Sequence, residues 1–486
     1  MLYLNKIFRF YVIVYGICII STPIHILQSQ TVTVSPEVSI RSNYAYDILP
    51  LSCGHTFIYH DRGSNHEFDV FDTNMRLLWN KSLAFEKRNF QVICAVARDS
   101  TVQVYYQFRD EGTLYTKVKT YNRYGEEADT SQILFQEKVQ TTDKVRFVVS
   151  EDKSKIGFFR PEGKNLQLWV VDHTEGNCIL NTLVSLRDFN FRTDFQKILV
   201  NNRGQAFVLG RKERLWSRAA SQRLMLGKII QENQFVTTGL NIADVEFAQA
   251  DMQFDHINNN ILIGGLVSKG NTDASGGYFS IRVSPEGVEE ELSVNVQLFS
   301  QDFISEVYGK KISKSKEINS LFVKELFVRQ DGGLVLVTEV KKEFLRRAQS
   351  AAPGRFGDFY SGRGFIDYYY EDIILMATYP DGREHWKQFL YKKQFSQDDD
   401  GIYSSFFIFK TPSQIRFLYN DEIKNNNTVS EYAIDPLGHA ERRSVLSTEY
   451  QNLKLRFKDA IQTGSSTLIV PSEKSYKVNL VRISFE

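Results

Sequence analysis

The sequence predicts an all-β fold built from one recurring antiparallel module. Three observations predict it: a high aromatic content, short apolar runs returning about every 50 residues, and tight turns of shared chemistry between them. Of 486 residues 13% are aromatic, with 36 Phe and 24 Tyr. Such side chains suit pleated, half-buried surfaces and so favour strands. With 10 Pro and 29 Gly the chain lacks the composition of a long disordered tract.

The turns come first in the argument. Six share a pattern: Asp72-Thr73-Asn74, Asn122 to Gly125, Asp172 to Gly176, Ser284-Pro285-Glu286-Gly287, Tyr379-Pro380-Asp381-Gly382 and Asp435-Pro436-Leu437-Gly438. Asp, Asn or Ser bonds the turn's own backbone, Pro presets φ, and Gly takes positive φ. Each lies between β-rich runs and reads as a hairpin.

The strands follow. Eight apolar runs, at 56–59, 102–106, 156–159, 206–209, 261–264, 334–337, 415–419 and 468–470, read as the second strand of a unit. A further run precedes most of them, as at 90–97, 145–149, 322–328 and 406–409, and another precedes most turns. Four strands per unit make a single β-propeller of about eight four-stranded blades, with seven as the alternative and a two-domain β-sandwich as the rival fold. The last unit has only three strands, ending at 481–485, whereas residues 31–40 are strand-like without a partner. The N-terminal segment is therefore expected to complete the last blade and close the ring, which removes the open edges.

In a meander, successive connections alternate between the two faces of the disc. The tight turns share one face. The long insertions, at about 298–320 and 341–367, belong to the other, and loops on a rigid scaffold are where binding usually resides. The 341–367 segment begins with Lys341, Lys342, Arg346 and Arg347 and becomes Gly-rich with Arg355, Phe359, Tyr360 and Arg363, ahead of Tyr368 and Tyr369. Arg and aromatic groups together suit carboxylates, phosphates, sugars or a protein interface, so Arg355, Phe359, Tyr360, Arg363, Tyr368 and Tyr369 are the candidate binding residues. Asp398, Asp399 and Asp400 are weak candidates for Ca²⁺ through oxygen ligands, against the plainer reading of a solvated acidic turn. In the first insertion Phe303, Ile304 and Val307 have helical spacing, followed by Lys310, Lys311, Lys314 and Lys316.

Lys6 and Arg9 precede an apolar run from Phe10 to Ile20, shorter than a membrane span. Residues 1–29 read as a signal peptide, with a retained anchor as the alternative, and 30–486 as the propeller domain. No transmembrane span is expected once the signal is removed. Cys53, Cys94 and Cys178 are too far apart for a disulfide framework or a metal site, though one pair could bridge. A net charge of +1 argues against a general nucleic-acid binder.

Tyr368-Tyr369-Tyr370-Glu371-Asp372-Ile373-Ile374, then Pro380-Asp381-Gly382 and Trp386, and Asp399-Asp400-Gly401 before Tyr403-Ser404-Ser405, resemble uncharacterised exported proteins of Bacteroidetes-type bacteria. The resemblance is strongest in the C-terminal third. It implies export to the periplasm or cell surface and carries no activity with it. The turns before Trp79 and Trp386 also resemble quinone-type propeller repeats, but other blades lack the tryptophan, so quinone is not implied.

No nucleophile elbow, phosphate loop or zinc-protease helix occurs, and the 8 His are scattered, three of them (His55, His60, His66) in the first unit. No catalytic residue is assigned. The expectation is a non-enzymatic binding or scaffold propeller of the cell envelope that engages a protein or glycan. The alternative is a carbohydrate-active hydrolase or lyase with carboxylates in the central cavity.

Overall fold

The computed structural model describes residues 30–485, apart from 139–143, 186–188, 213–222, 231–234, 241–244, 270–273, 288–293, 313–316, 347–364, 422–427 and 448–452. Its strands form eight antiparallel four-stranded sheets arranged as the blades of one propeller. In chain order the blades span 45–83, 90–138, 146–185, 195–240, 246–298, 321–390, 407–447 and 461–485. Within a blade the strands are lettered A to D from the axis outward. A strands of neighbouring blades lie side by side from blade 1 to blade 6.

The strand sequences explain this layout. B strands are covered on both faces by adjacent blades, so they read as continuous apolar runs. Thr56–Asp61 buries its first five residues, and Asn260–Ser268 all but its first. D strands are covered on one face and alternate, as in Cys178–Ser185. The apolar core is divided accordingly into eight clusters, one at each blade–blade interface. The cluster between blades 8 and 1, with Ile40, Ile48, Ile58, Val478 and Leu480, joins the two ends of the ring.

Closure occurs as the unpaired N-terminal run requires. Gln30–Val34 is the D strand of blade 8, pairing antiparallel with Lys477–Phe485 from Gln30 opposite Phe485 to Val34 opposite Val481. Val38–Ser39 extends the same ladder.

The six hairpin turns all join C to D strands on one face. Their Asp and Asn side chains do what turn chemistry demands. Asp72 Oδ1 accepts from the amides of Asn74 and Arg76, both at 2.8 Å. Asn122 and Asp435 make the same pair of bonds to the residues two and four ahead. The turn after Val283 is closed by the Gly287 amide, which donates to the Ser284 carbonyl at 3.0 Å, and the fourth strand of that blade is Asn295–Leu298.

On the opposite face, residues 299–320 carry the helix Gln301–Val307, capped by Ser300, whose Oγ accepts from the Phe303 amide. Phe303 and Ile304 are buried in the blade 5–6 cluster, with Val307 against it. The insertion therefore docks on the disc. The second insertion departs from its expected loop form. Strand B of blade 6 runs on to Arg346 and strand C starts at Phe365, with Lys341 opposite Tyr370 and Arg346 opposite Phe365. Gln394–Gln397 pairs with the far side of this extension. Cys53, Cys94 and Cys178 are free, with Cys94 buried and Cys53 exposed.

Candidate functional site

Two clefts among the described residues lie on the face bearing the insertions. The first, of about 560 Å³, lies where blades 6, 7 and 8 meet. Lys324 reaches it from strand A of blade 6, Glu339, Lys341 and Glu343 from strand B, and Tyr370 from strand C. Ser405 comes from the connection between blades 6 and 7. Lys458 comes from a 3₁₀ turn, Phe457–Asp459, between blades 7 and 8.

The cleft wall is a buried polar network. Lys392 is 1% exposed and its Nζ lies 2.9 Å from Glu339 Oε1. Lys392 also donates to the Tyr370 carbonyl (3.0 Å) and to Gln394 Oε1 (2.8 Å). Ser405 Oγ donates to Glu339 Oε2 at 2.7 Å, while the Ser405 amide donates to Gln394 Oε1 at 2.8 Å. These bonds hold Ser405 at φ 71°, a conformation few non-glycine residues adopt. Burial lowers the Lys392 pKa, and Glu339 opposes that shift.

Charge in the cleft is unevenly matched. Glu339 is held by Lys392, and Glu343 Oε1 pairs with Lys341 at 2.7 Å. The Lys341 ammonium also lies 5.3 Å from the Tyr370 ring centroid. Among the described residues, Lys324 and Lys458 have no carboxylate at ion-pair distance. Lys324 sits 5.8 Å from the Phe406 ring centroid and Lys458 donates to the Gly401 carbonyl at 3.4 Å. Desolvation lowers the Lys458 pKa; Asp459 opposes this, while Arg456, Lys324 and Lys341 add to it. Asp459 is itself held by Arg456 at 2.6 Å.

The second cleft, of about 720 Å³, lies among blades 2, 3 and 4. Lys144, Arg146 and Arg192 line it with Phe147 and Phe195.

The sequence candidates separate. Arg355, Phe359, Tyr360 and Arg363 lie outside the described residues. Tyr368 is 6% exposed and donates to Asp400 Oδ1 at 3.0 Å, and that carboxylate pushes the phenol up to about 12. Tyr369 packs edge-on against Phe344 and beside Phe395. Asp398 Oδ1 accepts from the Ile366 amide and Asp399 Oδ1 from the Gly401 amide. With Asp400 on Tyr368, each of the three carboxylates serves a different hydrogen bond of the loop. Among the described residues no group of three His, Cys, Asp or Glu side chains is placed to share a metal ion. Of the first-blade histidines, His60 and His66 are buried. His60 lies between Asn43 and Asp69, 2.9 Å from the carboxylate, and His66 Nδ1 meets the Tyr59 hydroxyl at 2.5 Å.

Sequence reading missed Lys324, Glu339, Ser405 and Lys458. They come from blades 6 to 8 and meet only because the ring brings those blades together.

No protein-family model matches the chain, and no curated protein matches it in sequence. Solved structures match it in fold. The structure of the Dos1 propeller is 8% identical, covering 93% of this chain and 95% of that one, with a TM-score of 0.41. A polysaccharide lyase of family PL25, an ulvan lyase, is 11% identical over 92% and 95%, at 0.37. Prolyl oligopeptidase B from Galerina marginata is 8% identical over 91% of this chain, at 0.39, and this chain spans 55% of that one. At such identities the likeness is one of fold and carries no activity.

Proposed function

We propose that this chain is a non-enzymatic binding propeller of the bacterial cell envelope, exported to the periplasm or cell surface, which engages a protein or glycan through its decorated face. One observation carries the reading. The blade 6 hairpin, extended beyond the disc margin by the pairs from Lys341–Tyr370 to Arg346–Phe365, leaves large apolar side chains in solvent. Phe344 is 52% exposed, Leu345 67% and Phe365 45%. Neighbouring apolar groups left exposed, with Lys342 and Arg346 beside them, mark an interaction surface. The basic start, its short apolar run and the resemblance to exported proteins support the compartment.

The rival reading is a carbohydrate-active hydrolase or lyase with carboxylates in the central cavity, and a hydrolase needs two carboxylates available across a cleft. In the blade 6–8 cleft Glu339 and Glu343 are both ion-paired, which favours binding over hydrolysis. The test is capture from envelope extracts by the immobilised protein and by its F344S/L345S/F365S variant. The reading expects the specific partner to be lost from the variant. Equal recovery by both would overturn it.

A further inference from the structure

We infer that the cleft between blades 6, 7 and 8 is an anion subsite that takes the carboxylate or sulfate group of an acidic saccharide. The inference rests on the binding reading above and names the ligand chemistry of one part of that face.

Charge is the first argument. Three ammonium groups, of Lys324, Lys341 and Lys458, converge on one cleft from three separate segments of chain. Both lining carboxylates are already matched, Glu339 by Lys392 behind the wall and Glu343 by Lys341. Lys324 and Lys458 remain without a carboxylate among the described residues. Like charges gathered in a partly desolvated cleft repel one another, and an incoming anion relieves that repulsion while forming charge-assisted hydrogen bonds.

Rigidity is the second. Lys341 and Tyr370 stand opposite each other in the ladder, and the Lys392–Glu339–Ser405 network fixes the floor. That side of the subsite is already held and loses little freedom when occupied.

Shape and lining select the class of ligand. About 560 Å³ is ordinary for a small-molecule subsite. The rim offers Phe322, 44% exposed, as an apolar platform, with the Tyr370 ring and the Glu343 carboxylate close by. A sugar ring presents both a C–H face for such a platform and hydroxyls for such an acceptor. A nucleic acid strand needs an extended basic track along successive phosphates, which one cluster of three lysines does not provide. Among the described residues the lining holds lysines and no arginine, so it supplies point charges instead of a planar fork and accommodates a tetrahedral sulfate as readily as a carboxylate.

The test is affinity electrophoresis of the full chain through gels containing polygalacturonate, dextran sulfate, poly-L-glutamate or neutral dextran. Retardation is expected with polygalacturonate, dextran sulfate or both, decreasing as salt rises, and the preferred polymer identifies the group. The K324Q/K458Q variant should weaken that binding at least tenfold, while R123Q, a charge loss on the opposite face, should leave it unchanged. Matching thermal melts for the three proteins establish that the fold is retained. Retardation by neither acidic saccharide, equal retardation by neutral dextran or by poly-L-glutamate, or an unaffected K324Q/K458Q variant would each overturn the inference. If it fails while F344S/L345S/F365S still loses its envelope partner, the binding reading stands without it. If the lysines matter and the hairpin does not, the hairpin argument fails instead.

Discussion

Removing one partner of the Arg416–Glu431 pair is expected to destabilise the propeller far more than removing both. Arg416 is 5% exposed and Glu431 1%. They meet through two bonds of 2.7 Å across strands B and C of blade 7. The guanidinium also lies 3.7 Å from the ring centroid of Phe485 in blade 8. Glu431→Gln keeps the shape but leaves a buried cation without its counter-charge. Single truncations of buried pairs lose roughly 3–5 kcal/mol. Because the amide oxygen still accepts one bond, the lower end, about 3 kcal/mol, is expected here. Arg416→Met with Glu431→Met removes both desolvation penalties, and such replacements are often neutral or stabilising. The loss of the Phe485 contact offsets part of that gain, so the double variant should lie within about 1 kcal/mol of the parent. Urea unfolding followed by circular dichroism measures both, provided the slope m is unchanged. Amide exchange should also show weakened protection along Lys477–Phe485 in the single variant. A single variant as stable as the double, or losses that simply add, would refute the claim that the pair is a desolvated unit.

Three further outcomes follow from the geometry. Burial lowers the His173 pKa to about 4 from its ordinary 6.5. The unfolded chain therefore takes up the proton first, and the His173 contribution, complete above about pH 6.5, is lost as pH falls toward 4. Between pH 7 and pH 5 this removes about 2 kcal/mol, and His173→Gln should flatten that part of the urea-midpoint profile, whereas an unchanged slope would refute it. Gly125 has φ +74°, and a Cβ there would come within 2.4 Å of Trp79, so Gly125→Ala should lower stability by about 2 kcal/mol in the same unfolding assay. Val32→Asp with Val34→Asp should release the closing strand from the cluster of Val481, Ile483 and Phe485 and expose a sheet edge. The check is a lower urea midpoint together with concentration-dependent association in size-exclusion chromatography.

The parts of the fold legible in the sequence are those set by local chemistry or by two-sided burial. Strands covered on both faces need unbroken apolar runs, so all eight B strands stood out. Asp72, Asn122 and Asp435 stood out because a short acceptor side chain before a turn bonds amides two and four residues ahead. Even closure was legible, since a three-stranded last unit and a spare strand at the start have few other uses. The hairpin of blade 6 was not. Lys341 to Arg346 is mostly polar and does not alternate, because none of these six residues is buried, so burial imposed no pattern. The cleft was illegible for a different reason. Lys324 lies in blade 6, Ser405 and Lys458 in the connections on either side of blade 7, and nothing local marks a lysine whose counter-charge is missing. The Asp398 to Asp400 run shows the converse. Clustered carboxylates serve a metal or a set of loop bonds equally well in sequence, and Tyr368 and the Ile366 amide, which take two of them, are some thirty residues upstream.

The pairing of Gln30 with Phe485 places the two ends of the fold side by side. During synthesis the first strand must wait for the final one, so sealing of the ring is the last event of folding and depends on the whole chain being present. Until then blades 1 and 8 each offer an unsealed flank, and a truncated product would keep one permanently. The same adjacency makes the starting point arbitrary: joining residues 30 and 485 by a short tether and opening the chain at an exposed turn such as Arg123-Tyr124 would preserve every blade interface. Rupture under load would accordingly begin at this seam, where seven residue pairs along Lys477–Phe485 keep the ring shut.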